Sequence, residues 1–233
     1  MSKPKIIITK NGPYIVTGNL PLNKEIAETG KSGEPEKWVE TKKYPRKETY
    51  ALCRCGHSKN MPFCDGAHNE AHFDGTETAS NSLYEDEAEI IDGGGIILKD
   101  VPSLCSGARF CHPKGGTWKL AVKSKKPEAK KEAVRQACEC PAGRLVAYDK
   151  ETGQALENKY EPSVTIIEDP QINCSGPLWV KGGVEIESES GIKYETRNRV
   201  TLCRCGHSLN KPFCDGEHAG YEFNDGDESL KRY

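Results

Sequence analysis

The sequence is short of ordinary core material. Aromatic residues make up 7% of its 233 positions, methionine occurs twice and tryptophan three times, and mean hydropathy is -0.70. No apolar run approaches membrane-spanning length, and the isoleucines at 6–8 are too few for a signal peptide, so a soluble cytoplasmic protein is expected. Charge is nearly balanced, 33 basic against 35 acidic residues, which argues against nucleic-acid binding because phosphate recognition usually leaves a basic surplus. The lysines at 123, 125 and 126 read as a solvated loop before a helix. A Gly-rich phosphate loop, a nucleophile with a recognisable base, and a flavin or nicotinamide fingerprint are all missing, so a carrier is expected rather than an enzyme.

What the chain does have is cysteine, eleven in all. An odd number in a reducing compartment fits ligands better than disulfides. Six of them fall in a stretch that occurs twice, at 52–68 and 202–218. Each copy spells C-x-C-x8-C-x3-H, and the copies differ only at Lys59/Leu209, Met61/Lys211 and Ala67/Glu217. With so lean an apolar inventory, cross-linking by metal is expected to supply part of the stability.

The repeat extends upstream. Residues 5–9 and 14–17 read as two strands around the turn Asn11-Gly12-Pro13, and 12–20 aligns without gaps on 176–184, with 164–168 as the counterpart of the first strand. Each copy is therefore a β-module of about sixty residues. Residues 29–47 read as an exposed loop, shortened to 188–197 in the second copy. A short helix is expected over 82–91 with Leu83, Ala88 and Ile91 inward, ended by Gly93-Gly94-Gly95. The clearest helix is 127–137, with proline in its first turn and Ala129, Ala133, Val134 and Ala137 on one side, stopped at Cys138-Glu139-Cys140-Pro141. The fold class is α+β and β-rich.

In an extended segment, Cys53 and Cys55 project to one side and Arg54 to the other, making a two-thiolate claw. Asp65 is the expected N-cap of a turn that carries Cys64 and His68, with Gly56 and Gly66 permitting close approach. Three cysteines and a histidine suit structural zinc, but zinc knuckles use C-x2-4-C, and the C-x-C claw lies outside that range. His57 and His207 are read as neighbours of the site or surface groups. Ser58 and Ser208 are read either as donors to a cluster sulfur or as local turn bonds.

Cys-Arg-Cys-Gly-His-Ser followed by Pro-Phe-Cys-Asp-Gly-x-His resembles the CDGSH iron–sulfur (NEET) family. The resemblance implies a 2Fe–2S cluster on Cys53, Cys55, Cys64 and His68 and a second on Cys203, Cys205, Cys214 and His218. It also implies that two modules on one chain imitate the two-fold dimer of single-motif members. Where the family name has Ser, this chain has Ala67 and Glu217. Between the modules, Cys105 and Cys111 keep the spacing of the outer cysteines of C-x2-C-x2-C, with Ala108 at the middle place and a remote Cys140-Pro141. That segment resembles the divergent single-cluster ferredoxin domain that accompanies CDGSH modules. Cys105, Cys111 and Cys140 would suit 3Fe–4S, while 4Fe–4S needs a further ligand from Cys138, Cys174 or His112. Reduced thiols without a cluster, or zinc, are the alternatives there.

The expected organisation is a CDGSH module at 1–80, a ferredoxin-like insert at 81–160 and a second module at 161–233, together forming an intramolecular pseudo-two-fold monomer. Its expected role is one-electron transfer or labile cluster transfer to redox or cluster-acceptor proteins, with a structural zinc module as the alternative.

Overall fold

A computed structural model describes residues 3–231. The first repeat comprises β1 (Lys5–Ile8), β2 (Tyr14–Thr17), β3 (Leu22–Thr29), β4 (Pro35–Lys43), β5 (Thr49–Leu52) and the single turn α1 (Ala67–Glu70). The middle contains α2 (Tyr84–Glu87), β6 (Glu89–Asp92), β7 (Ile96–Asp100), α3 (Thr117–Val122), α4 (Pro127–Glu139) and β8 (Leu145–Asp149). The second repeat has β9 (Ser163–Asp169), β10 (Cys174–Lys181), β11 (Glu185–Ser188), β12 (Arg199–Leu202) and α5 (Glu217–Gly220). Among the described residues no helix is long and apolar enough to cross a membrane.

The two repeats exchange strands. One sheet runs β11-β1-β2-β5 and the other β12-β10-β9-β3-β4. β11 lies parallel to β1 from Lys5/Glu185 to Ile8/Ser188, and β3 lies parallel to β9 from Leu22/Val164 to Ile26/Glu168. Each repeat completes the other's sheet, so neither satisfies its own strand edge. Alternation along β1 and β2 buries Ile6, Ile8, Tyr14 and Val16, which join Val164, Ile166, Leu178, Val180, Val200 and Leu202 in one core.

Residues 29–47 are not a loop. Pro35–Lys43 within them form β4, paired along β3 with two register shifts. Its Lys/Glu-rich sequence, which suggested a loop, belongs to an exposed sheet edge, where charge discourages further pairing. Over 82–91 the expected helix is one turn followed by a strand: Tyr84 is buried, Leu83 is 54% exposed, and Glu89–Asp92 pairs with β7. The β-branched pair Ile90-Ile91 outweighs the helical spacing.

The middle segment has its own core, where Ala121 and the Ala133/Ala137 face of α4 pack on Ile96, Leu98, Leu145 and Ala147. α4 continues past 137 to Glu139. Its last carbonyls are satisfied from outside the segment. The buried Arg199 of β12 donates to Ala137 O, Cys140 O and Leu145 O at 2.9, 2.8 and 3.0 Å, and Trp38 Nε1 of β4 donates to Glu139 O at 3.1 Å. A cation at a helix C-terminus also suits the helix dipole. Trp38 stacks on Phe110 at 4.6 Å and meets Trp179 at 5.5 Å, so β4 joins the middle segment to the second repeat.

Candidate metal centres

In each repeat, the strand leading into the motif delivers the C-x-C claw, the segment before the one-turn helix delivers the third cysteine, and that helix delivers the histidine. Cys53 Sγ and Cys55 Sγ stand 3.7 Å apart, and Cys203 and Cys205 stand 3.6 Å apart. Cys64 Sγ lies 3.5 Å from His68 Nδ1, and Cys214 Sγ lies 3.4 Å from His218 Nδ1. Two sulfurs on one tetrahedral metal at about 2.3 Å stand about 3.8 Å apart, and a sulfur and an imidazole nitrogen about 3.5 Å apart. Each pair is therefore spaced to bite one metal. The four donors do not close on a single ion: among the described residues, only Glu168, Asp225 and Asp227 bring three such donor atoms within 4.8 Å of one another. Each repeat thus presents two donor pairs, each with the span of one metal.

Local hydrogen bonds set this shape. Cys53 N–H donates to Pro62 O at 2.8 Å and Cys64 N–H to Ala51 O at 3.0 Å, with equivalents at Cys203 and Cys214. Asp65 Oδ2 accepts from Lys59 N at 2.7 Å and Oδ1 from Ala67 N at 3.1 Å, so it ties the turn from one position before the cap; the cap itself is Gly66 at φ +92°. Ser58 and Ser208 donate to Phe63 O and Phe213 O at 2.6 and 2.7 Å, which makes them turn bonds. His207 stacks on Tyr221 at 3.8 Å.

Each claw favours one thiolate and one thiol, since the same hydrogen bond that lowers Cys53 and Cys203 raises Cys55 and Cys205, with burial adding to the rise. A hydrogen bond from Cys55, then backbone N–H groups of Ser58 and Gly56, lower Cys53 to about 6. Cys203 is likewise lowered to about 6 by Cys205, Ser208 and Gly206. Burial pushes Cys64 and Cys214 up, Cys214 furthest. His218 is lowered to about 4 by burial and by Arg204.

The arginine between the claw cysteines points away, as expected, but its role was not legible. Arg54 is buried and donates to Thr9 O at 3.2 Å and to Gly75 O. Arg204 is buried among carboxylates, donating to Glu168 at 2.6 Å and to Asp225.

The sites also differ in cover. Cys214 is 2% and His218 6% exposed, whereas Cys64 and His68 are half-buried. The middle segment causes the difference. A Cβ on Gly216 would stand 3.3 Å from Cys105 O and 3.7 Å from Gly107 N, whereas one on Gly66 would meet nothing within 4 Å.

Cys105, Cys111 and Cys140 line one small cavity with Phe110, Arg144 and Leu145. Burial and then the neighbouring Cys140 and Cys105 push Cys111 up to about 12, so its thiolate is disfavoured here unless a cationic metal offsets the charge. The suggested fourth donors lie elsewhere. Cys138 Sγ donates to Leu156 O at 3.2 Å, Cys174 Sγ to His218 O at 3.3 Å, and His112 Nδ1 faces Glu34 at 3.8 Å. All eleven cysteines are free thiols.

Comparison with known proteins agrees with this division. The family described as iron-binding zinc finger, CDGSH type, matches residues 11–69 and 175–219, and the family described as divergent 4Fe-4S mono-cluster matches residues 91–150. No curated protein and no solved structure gave a significant match. The chain is a tandem CDGSH-type iron-binding protein whose two modules flank a divergent 4Fe-4S mono-cluster segment.

Proposed function

We propose that the chain carries single electrons, or whole labile clusters, between proteins. Cys53, Cys55, Cys64 and His68 hold one 2Fe–2S cluster, and Cys203, Cys205, Cys214 and His218 hold another. The observation that supports this most is the division of each donor quartet into two pairs at 3.4–3.7 Å with no three donors converging. Such clusters supply one-electron couples. One imidazole in place of a thiolate removes a negative charge from the centre and raises its potential.

Cys105, Cys111 and Cys140 hold a third cluster. Three thiols without a fourth cysteine in the cavity favour 3Fe–4S over 4Fe–4S. The half-buried Cys64 and His68 give the first site the access to solvent that a redox partner or cluster acceptor requires, and the internal strand exchange supports a monomer. Eleven free thiols suit a reducing cytoplasm. The divisions 1–80, 81–160 and 161–233 follow the three sites.

The test is an anaerobic visible spectrum with iron and acid-labile sulfide counted per chain. Absorption of 2Fe–2S type, with iron for two binuclear sites plus the middle cluster, is expected. A colourless protein holding zinc would overturn the reading.

A further inference from the structure

Different contacts join the three donor sets. Cys105–Gly107, the start of the middle donor loop, rests on Gly216, with Cys105 O and Gly107 N within 3.3 and 3.7 Å of the position a Cβ would take. Gly216 sits between two donors of the second repeat, and its N–H donates to Cys214 Sγ at 3.4 Å. The loop is locked in this position by Arg109 to Asp169 of β9 at 2.6 Å and by Asn210 Nδ2 to Ser103 O at 3.0 Å. The second repeat then meets the first back to back. A Cβ on Gly56 would stand 2.4 Å from Cys205 O, and one on Gly206 would stand 2.6 Å from Cys55 O. In the first repeat the equivalent position, Gly66, is open, so the middle loop covers this glycine in the second repeat alone.

We propose that Gly216 is the electronic junction between the middle centre and the second repeat, making the three sites a linear path in which the first site communicates with the middle only through the second. This rests on the iron–sulfur reading above. The step is a single electron from the reduced middle site to the oxidised second site, with no bond made or broken. The donor is a low-potential one-electron protein, replaced by dithionite in the test. The acceptor is a one-electron carrier docking at the first site, whose Cys64 and His68 are half-buried. Gly216 serves as the junction for two reasons: a glycine lets the two backbones touch, and its N–H is already committed to a ligand sulfur. A hydrogen bond to a cluster sulfur is a direct control on that cluster's potential.

The test is electron paramagnetic resonance of the dithionite-reduced, full-length protein, reading power saturation of the 2Fe–2S signals. Wild type should show two relaxation classes. Cys53→Ser, which retains the second site, should keep the fast-relaxing signal, and Cys203→Ser, which retains the first, should keep the slow one. Cys111→Ser should slow the second-site signal several-fold and leave the first unchanged. If a single-site variant fails to fold, the two relaxation classes of wild type still decide. Equal relaxation of both signals with the middle iron present overturns the junction alone, and so does a fast first site. Iron for only the two binuclear sites overturns both the junction and the middle cluster.

Discussion

Gly56 faces the carbonyl of Cys205 so closely that a Cβ would stand 2.4 Å from the oxygen, and Gly206 faces Cys55 in the same way at 2.6 Å. The claw of each repeat thus rests on the loop of the other. Gly56 and Gly66 both have positive φ, +81° and +92°, but only Gly56 is crowded. Gly66→Ala should cost about 1–2 kcal/mol in backbone strain, whereas Gly56→Ala adds overpacking of about 1–3 kcal/mol. Denaturant unfolding of the loaded proteins checks this, and equal losses would remove the back-to-back contact from the account.

The two buried arginines should behave differently. Arg204→Met leaves Glu168 and Asp225 buried without their cation, a loss of about 3–5 kcal/mol. Arg54→Met removes bonds to carbonyls only, about 1–3 kcal/mol.

Glu168 predicts a pH dependence. Burial raises it to about 7, against the pull of Arg204, and its Oε2 has no hydrogen-bond partner. A carboxyl raised on folding makes the native state bind the proton more tightly. Its penalty is therefore present above about pH 7 and is relieved as pH falls toward the unfolded value. Glu168→Gln should flatten the stability profile between about pH 7 and pH 4.5, as read by denaturant titration. An unchanged slope would remove Glu168 as its source.

Acid should empty the sites in order. A protonated imidazole cannot bind iron, and His68 is half-buried while His218 is 6% exposed beside Arg204. Visible bleaching on acidification should show two phases, the first-site phase beginning at higher pH. His68→Cys should abolish only that earlier phase. A single phase in wild type would contradict the ordering.

Cysteine substitutions separate donors from bystanders in the middle. Cys111→Ser should lose the middle iron. Cys138→Ser and Cys174→Ser, whose thiols donate to Leu156 O and His218 O, should keep it. Iron counts decide, and loss in either bystander variant would make that thiol a ligand.

Trp38→Ala should loosen the middle segment by about 2–4 kcal/mol, since it removes the stack on Phe110 and the bond to Glu139 O. Faster proteolysis within 81–160 is the readout.

The donors were legible because their information is local. Alternation in C-x-C puts two sulfurs on one side, and a single turn from Cys64 to His68 brings sulfur and nitrogen together, whatever the rest of the chain does. The strands at 5–9 and 14–17 and the alanine face of α4 were legible for the same reason. By contrast, β4 was misread because an edge strand takes its pairing from a neighbour and shows solvent the same charged residues as a loop. The short helix expected over 82–91 failed because Tyr84 is buried by the middle sheet rather than by its own periodicity.

The sequence by itself determined the two repeated donor sets, the pairing of donors within each, and the separate character of the middle cysteines. Tertiary structure decided that β3 and β11 change sheets, that the two claws lie back to back, and that the middle loop covers Gly216 while Gly66 stays open. Each of these depends on parallel pairings or contacts between residues more than a hundred positions apart, and no local pattern encodes which partner a glycine or a strand edge will meet.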